Sequence, residues 1–326
     1  MNILVTGGAG YVGSHAVKCL TANGHNVWVY DNLVYGHKAA APADRLVVGD
    51  LHESEKLVKL FKEHDIEAVM HFAAYAFVGE SVTDPAKYYQ NNVVGTLSLL
   101  DAMRECGVKK IVFSSTCATY GVPQQVPIPE DHPQSPINPY GYTKLVIERA
   151  MEDYRHAYDL GYAALRYFNA SGASADGSIG EDHTPETHLI PLVLDVALGK
   201  RESITVFGTD YPTPDGSCIR DYIHVDDLAD AHLAALKQLE PGKSLKLNLG
   251  TGRGMSVKEV IGICEDVTGK RIATVLGERR EGDPPELVAN PQTAEDAIGW
   301  KAKRSMRETI ESAWAWHSSH PDGFAD

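Results

Sequence analysis

Short apolar runs alternate with longer amphipathic stretches through the first half of the chain. Ile3-Leu4-Val5, Asn26 to Tyr30, Leu46-Val47-Val48, Ala68 to Phe72, Ile111-Val112-Phe113 and Ala163 to Arg166 are strand-like. Between them lie helical patterns around Ser14 to Asn23, Glu53 to His64, Pro85 to Cys106, and Tyr140 to Tyr158. Strands of this kind, apolar throughout and separated by helices, predict βα repeats and a parallel sheet covered on both faces. The expectation is an α/β fold: a doubly wound, Rossmann-type parallel sheet with a smaller C-terminal lobe. Past about Asn169 the alternation gives way to Gly- and Asp-rich loops, isolated helices and short strands. The division expected is 1–170 for the sheet domain and 171–326 for the lobe. A segment near 220–250 that includes Leu247-Asn248-Leu249-Gly250 could return to the sheet.

Composition narrows the class. The chain has 326 residues, 43% hydrophobic and 23% charged, so a sizeable core is available. Its net charge of -14 comes with no long basic run, which argues against a nucleic-acid binder. The five cysteines are scattered, without a C-x-x-C pair, and read as reduced residues of a cytoplasmic protein. No metal is expected. Met1 to Val5 lacks the basic start of a secretory signal, and no apolar stretch approaches a membrane span, so no membrane partner is expected.

Thr6-Gly7-Gly8-Ala9-Gly10-Tyr11-Val12-Gly13 falls between a strand and a helix. Glycines there let the backbone turn tightly and approach a pyrophosphate, which the helix N-terminus attracts. Asp31 ends the second strand, 18 residues after Gly13, and is followed by Asn32 rather than arginine. A carboxylate at that place accepts from both ribose hydroxyls of NAD and repels a 2′-phosphate, so NAD is preferred over NADP. Asp50, after the third strand, suits an adenine edge or equally a plain helix cap. The small residues of His71-Phe72-Ala73-Ala74 suit close cofactor approach or simple packing.

Tyr140 and Lys144 are four residues apart and share a face if helical. A nearby ammonium in a partly buried cleft could bring a phenol, ordinarily near pKa 10, toward neutrality, making a base–acid pair. Tyr-x-x-x-Lys also occurs on plain solvated helices. It gains weight from the glycine motif and from Ser114-Ser115-Thr116 at a strand end, where the Thr116 hydroxyl could relay a proton.

With these segments the chain resembles the UDP-glucose 4-epimerases of the extended short-chain dehydrogenase/reductase family over nearly its whole length. Val78-Gly79-Glu80-Ser81, Asn138-Pro139-Tyr140-Gly141, Arg166-Tyr167-Phe168-Asn169, Arg220 to Val225 and Arg279-Arg280-Glu281-Gly282-Asp283 add to the match. The resemblance implies interconversion of UDP-glucose and UDP-galactose through a transient 4-keto sugar with NAD retained. Tyr140 is then the base, Thr116 the hydroxyl residue and Lys144 the pKa-lowering lysine. It further implies cofactor contacts from Gly7, Gly10, Tyr11, Val12, Gly13, Asp31, Asn32, Asp50, Leu51, Phe72, Ala73, Ala74, Asn91, Ser114, Tyr140, Lys144 and Tyr167. UDP-sugar contacts would come from Thr116, Tyr140, Asn169, His188, Leu189, Phe207, Arg220, Tyr222, Arg280 and Asp283. Taken one at a time, the arginines read equally well as surface ion pairs. Relatives pair the two long helices across a homodimer, and both helices here carry surplus apolar residues.

Two positions depart from the family pattern. Ala76 stands where many members have a lysine reaching the cofactor phosphates. Leu287, near a residue that governs acceptance of N-acetylated sugars, is intermediate in bulk. The loop type at Phe72-Ala73-Ala74 also occurs in relatives acting on UDP-xylose and UDP-arabinose, so pentose and N-acetylhexosamine nucleotides stay open as substrates. A 4,6-dehydratase would need Asp-Glu after Thr116, where Cys117-Ala118 stand, and a glucuronate decarboxylase would need glutamate at Ala118. A non-catalytic NAD-binding sensor could dispense with Tyr140 or Lys144, yet both are present.

Overall fold

The computed structural model describes residues 1–280 and 282–325. Its centre is a seven-stranded sheet built in chain order from β1 (Asn2–Thr6), β2 (Asn26–Asp31), β3 (Leu46–Val48), β4 (Ala68–His71), β5 (Lys110–Thr116), β6 (Gly161–Tyr167) and, after a long excursion, the strand Ser244–Leu249. Every neighbouring pair in it is parallel. The order places β1 between β2 and β4, with β3 at one edge and Ser244–Leu249 beyond β6 at the other. Apolar side chains dominate the strands because helices cover both faces. Ile3, Leu4 and Val5 have no exposed surface, and neither have Ala163, Ala164 and Leu165.

One face is covered by α1 (Tyr11–Ala22), the other by α2 (Ser54–Glu63) and the long helical column before β5. That column departs from the single helix expected over Pro85 to Cys106. It consists of α4 (Pro85–Tyr88), a π-helical stretch (Tyr89–Val94) and α5 (Gly95–Glu105), and it follows a short α3 (Val78–Thr83). Asp84 caps α4 by accepting from the Lys87 N–H at 3.3 Å, with Pro85 at the first helical position. The wide π turns swing the buried Asn92 inward. There its amide accepts from the Tyr75 N–H (2.8 Å) and donates to the Tyr75 carbonyl (3.0 Å) and to Thr143 Oγ1 (3.1 Å). α6 (Pro139–Tyr158) completes this layer. It starts at Asn138, whose side chain accepts from the Gly141 N–H at 2.8 Å, and ends at Asp159 in the left-handed region.

After β6 the chain leaves the sheet. β7 (Asn169–Ser171) pairs with a later strand, and α7 (Leu189–Ala197), β8 (Ile204–Phe207) and β9 (Ile219–Arg220) follow. β10 (Tyr222–His224) is β7's partner and leads into α8 (Val225–Gln238), which packs beside α1 on the sheet. β11 is the returning strand Ser244–Leu249. β12 (Met255–Ser256), α9 (Val257–Thr268), β13 (Thr274–Gly277), β14 (Glu286–Leu287), α10 (Gln292–Ile298) and α11 (Met306–Ser319) end the chain. A second core of Ile190, Val193, Ile204, Val260, Cys264 and Ile310 holds α7, α9 and α11 together. A small apolar cluster of Tyr120, Ile128, Phe168 and Ala289 lies outside both main cores.

Candidate active site

The glycine loop between β1 and α1 is shaped by backbone contact. Gly7 adopts φ +71° and donates its N–H to the Tyr30 carbonyl at 2.9 Å. A Cβ on Gly7 would lie 2.4 Å from the Ala73 nitrogen, and one on Gly13 would lie 2.0 Å from the Gly7 oxygen. Both positions therefore require glycine for the loop to close. Gly10 differs: its nearest contact would be 3.5 Å, so its lack of a side chain leaves space rather than relieving a clash. It is the N-cap of α1, with no side-chain cap and no acidic residue in the first turn. The first amides of α1, including those of Tyr11, Val12 and Gly13, thus form the electropositive end that a diphosphate requires. The Tyr11 hydroxyl turns away and donates to the Gly172 carbonyl at 2.6 Å.

Asp31 at the end of β2 accepts from the Ala9 N–H (3.0 Å) and the Leu33 N–H (2.9 Å), joining the glycine loop to the strand end. Burial pushes its carboxyl above the usual range. Each carboxylate oxygen keeps a further acceptor site, as a ribose diol needs. Asn32 donates to Asp50 at 3.0 Å, and Asp50 also accepts from the His52 N–H at 3.0 Å. Asp50 therefore forms a local turn, and the N-cap of α2 is Glu53. Leu51 is buried in the core against Gly95. Phe72 and Ala73 both donate backbone N–H groups to the Thr6 carbonyl (2.8 and 3.1 Å), bringing the loop after β4 onto the glycine loop, with Ala74 next in line. Asn91 donates to Asn92 at 2.9 Å. Ala76 is exposed, and the lysine nearest in sequence, Lys87, is paired with Glu80 at 2.7 Å.

Tyr140, Lys144 and Thr116 come together where the head of α6 meets the end of β5. Lys144 Nζ donates to the Ser114 carbonyl at 2.8 Å, 4.8 Å from the Phe113 ring centroid and 5.8 Å from that of Tyr140. Ser114 Oγ and the Tyr167 hydroxyl share a 2.6 Å hydrogen bond. Thr116 accepts from the Ala118 N–H at 3.1 Å and lies close enough to the Tyr140 phenol to favour its charged form. The electrostatics differ from the sequence-based expectation that the lysine draws the phenol toward neutrality. Burial holds the Tyr140 phenol above its ordinary pKa, opposed by the Thr116 hydroxyl, and burial lowers Lys144 to about 7, opposed by Glu148. Burial thus shifts both groups toward their neutral forms, since each charge loses its water.

Glu148, one turn beyond Lys144, anchors this face of α6. It takes a bidentate pair from Arg166 on β6 (3.0 and 2.6 Å), both side chains being at most 3% exposed, and accepts from Ser115 Oγ at 2.5 Å. Arg166 also donates to the Tyr120 hydroxyl at 2.8 Å, which in turn donates to Asn248 on β11 at 2.7 Å.

Across the cleft end of the sheet, Asn169 donates its backbone and side-chain N–H groups to the Asp221 carbonyl, both at 3.1 Å. Asp221 is buried and accepts from Thr251, Gly252 and Ala289, which fixes the turn between β9 and β10. Arg220 on β9 is ion-paired with Asp283. Arg280 lies over the half-exposed Phe207 ring, 4.0 Å from its centroid. Tyr222 and Leu189 pack at the margin of the second core, and Leu287, beside Arg220 in β14, packs with Cys117 on the small apolar cluster. The His188 ring turns toward Glu181, 2.6 Å away. Glu281 lies outside the described residues.

Three features escaped the sequence reading. Glu148 could have been found from its i+4 relation to Lys144. Asn92 carried no signal, since only the π-helical stretch turns it inward. The spacing Glu181-x-His183-x-x-Glu186-x-His188 is a ligand pattern readable in the sequence.

Comparison with known proteins agrees with this geometry. Residues 3–250 match the NAD dependent epimerase/dehydratase family. A UDP-glucose 4-epimerase of Halalkalibacterium halodurans is 54% identical over 327 aligned residues, covering 100% of this chain and 98% of that one. The crystal structure of UDP-glucose 4-epimerase from Brucella ovis in complex with NAD is 50% identical with a TM-score of 0.94, covering 96% of this chain and 97% of that one. That of the Bifidobacterium longum UDP-glucose 4-epimerase in complex with NAD+ and UDP is 37% identical with a TM-score of 0.94, covering 99% and 100%. With the glycine loop, the acidic end of β2 and the Tyr140–Lys144 face all in place, this chain belongs to the NAD dependent epimerase/dehydratase family.

Proposed function

We propose that this protein is a UDP-glucose 4-epimerase that interconverts UDP-glucose and UDP-galactose and keeps NAD bound through the cycle. The observation that carries the proposal is the convergence of Tyr140, Lys144 and Thr116 at the end of β5, on the same C-terminal edge of the parallel sheet as the glycine loop after β1. Residues 1–170 with the returning β11 would hold the dinucleotide, and most of 171–326 the UDP-sugar. Gly7, Gly10 and Gly13 with the first amides of α1 would receive the pyrophosphate, and Asp31 the adenosine ribose. Bound NAD supplies a two-electron oxidant that accepts hydride from the sugar carbon and gives it back.

The protein's own residues carry the proton. Tyr140 takes it from the sugar 4-hydroxyl as C4 is oxidised and returns it when the ketone is reduced on its other face. Taking the 5.8 Å from Lys144 Nζ to the Tyr140 ring centroid as the charge separation and an effective dielectric of about 20, an ammonium at Lys144 stabilises the phenolate by about 3 kcal/mol, or about two pKa units. The interaction is reciprocal, so a phenolate at Tyr140 also raises Lys144 from about 7, and Glu148 acts in the same direction. Thr116, beside Tyr140, would orient the phenol and accept from or donate to the sugar oxygen. Arg220, Arg280 and Asp283 would bind the UDP, the arginines at the diphosphate. Binding then requires the Arg220–Asp283 pair to exchange partners.

Two further readings belong with this one. Val94 and Tyr89 on the helical column, and Tyr142, Val146 and Tyr158 on α6, are exposed apolar residues. They support a homodimer built on these helices, and size-exclusion chromatography with light scattering should give twice the 35.5 kDa chain mass. The free cysteines support a reducing, cytoplasmic setting, and no described helix is long and apolar enough to cross a membrane. The role would lie in galactose metabolism. The deciding experiment incubates the purified protein with UDP-galactose and no added NAD. UDP-glucose appearing at a constant final ratio supports the proposal. Conversion only of UDP-xylose or UDP-N-acetylglucosamine would reassign the substrate, and no conversion even with NAD supplied would overturn it.

A further inference from the structure

The loop leading into α7 gathers Glu181, His183, Glu186 and His188 at one point. One ligand atom from each of the four lies within 4.8 Å of every other. Two of the contacts, His183 Nδ1 to Glu181 Oε1 (3.3 Å) and to Glu186 Oε2 (3.6 Å), are too long or too marginal for good hydrogen bonds. They match instead the edge of about 3.3–3.5 Å expected between donors held about 2.0–2.1 Å from a tetrahedral ion. Glu181 is 4% exposed. Neither its Oε1 nor His183 Nδ1 has an aligned hydrogen-bond partner, although His188 Nδ1 stands 2.6 Å from that oxygen. The flanking imidazoles of His183 and His188 offset the buried carboxylate only through poorly aligned contacts, and a cation held among the four donors would satisfy it more fully.

We propose that Glu181, His183, Glu186 and His188 form a structural site for one divalent transition-metal ion, with Zn2+ the best match. Two imidazoles and two carboxylates make an N2O2 set suited to Zn2+. The two carboxylate charges balance the ion, so the buried group becomes neutral with both imidazoles uncharged. Glu186 is already oriented for this: its Oε1 accepts the backbone N–H groups of Thr187 (2.6 Å) and His188 (2.7 Å), which leaves Oε2 toward His183. The surroundings are fixed as well. The Glu181 carbonyl accepts from Trp316 Nε1 at 3.3 Å, and the His183 ring meets Tyr11 and Phe77 edge-on at 6.1 Å. Four protein ligands leave no open position, so the ion would fix the loop 181–188, and with it the His183 ring that packs on Tyr11, rather than perform chemistry. The half-exposed His188 ring gives a route of entry.

The test uses untagged protein, stripped with a chelator and titrated with Co2+ and then Zn2+. The expected result is a tetrahedral Co2+ ligand-field band saturating at about one equivalent, displaced by Zn2+, with a higher melting temperature in the Zn2+ form. Glu181→Gln should lose the band. If that variant fails to fold, His188→Ala, at the exposed edge, should weaken Co2+ binding at least tenfold. No band and no thermal shift in the wild-type protein, or an undiminished band in His188→Ala, would overturn the proposal. None of these readouts depends on turnover.

Discussion

Replacing Glu148 by glutamine tests how the α6 face is held. The change is nearly isosteric, so no cavity forms and the electrostatic effect is isolated. Arg166, 2% exposed, keeps its charge but loses its counter-ion, and the new amide can turn an N–H toward a guanidinium that also only donates. Breaking a buried pair from one side costs about 3–5 kcal/mol. With an unfolding entropy of about 2.1 cal/mol/K per residue, a 326-residue chain should then lose about 4–7 °C in melting temperature. Urea unfolding followed by tryptophan fluorescence gives the same quantity as a free energy. A second consequence concerns the proton. Glu148 supports the charge on Lys144, so without it Lys144 falls below about 7 and the alkaline limb of the rate profile moves to lower pH. Replacing both partners, Glu148→Leu with Arg166→Met, should recover much of the stability, since a well-packed apolar pair avoids desolvation altogether. A Glu148→Gln variant within 1 kcal/mol of wild type and with an unshifted pH profile would refute the reasoning.

Gly13→Ala should fail to retain cofactor and melt several degrees lower, because its Cβ meets the Gly7 carbonyl at 2.0 Å, whereas Gly10→Ala should fold normally and lose mainly nucleotide affinity; cofactor absorbance after release separates the two. Tyr140→Phe should keep its cofactor and lose roughly 10²- to 10⁴-fold in turnover, and wild-type-like turnover would mean that another group is the base. Burial holds His71 at about 3 and His224 and His232 at about 4, below the free imidazole value of 6.5. Between those values and 6.5 the unfolded chain binds the extra protons, so their contribution is complete above about pH 6.5 and lost as pH falls through about 4 and then 3. Melting temperatures should drop between pH 7 and pH 4, and less steeply in His232→Leu; a flat profile in the wild type would exclude this account.

The sheet was legible because a strand buried on both faces needs an apolar run, and Ile3 to Val5 of β1, Ala68 to Met70 of β4 and Tyr162 to Leu165 of β6 supply one. The end of β5 was legible too: Ser114, Ser115 and Thr116 close the strand as expected, buried at its C-terminal end. α3 and the π-helical stretch could not be read, as neither has a long apolar stripe and both are set by contacts with α6. In the second lobe, strands such as β9 and β14 contain two residues each, too few to show any period. The site divides along the same line. Gly7, Gly13, Asp31, Tyr140 and Lys144 lie in local patterns whose spacing states their purpose. Arg166 and Glu148 are 18 residues apart, and meet only because α6 runs back along the sheet before β6.

The position of β11 bears on how the protein is made. β6 presents a complete set of ladder groups to β11, and α1 presents an apolar face to α8, yet both partners are translated some 60 to 90 residues after β6 ends. A nascent chain that has just emerged through Tyr167 therefore carries a sheet with a bare edge and a half-covered face, the state most open to strand capture by a neighbouring chain. The first half cannot mature during synthesis ahead of the second. Release of residues up to Leu249 from the ribosome becomes the event that closes the sheet, and fragments ending near residue 170 should depend on chaperones or aggregate.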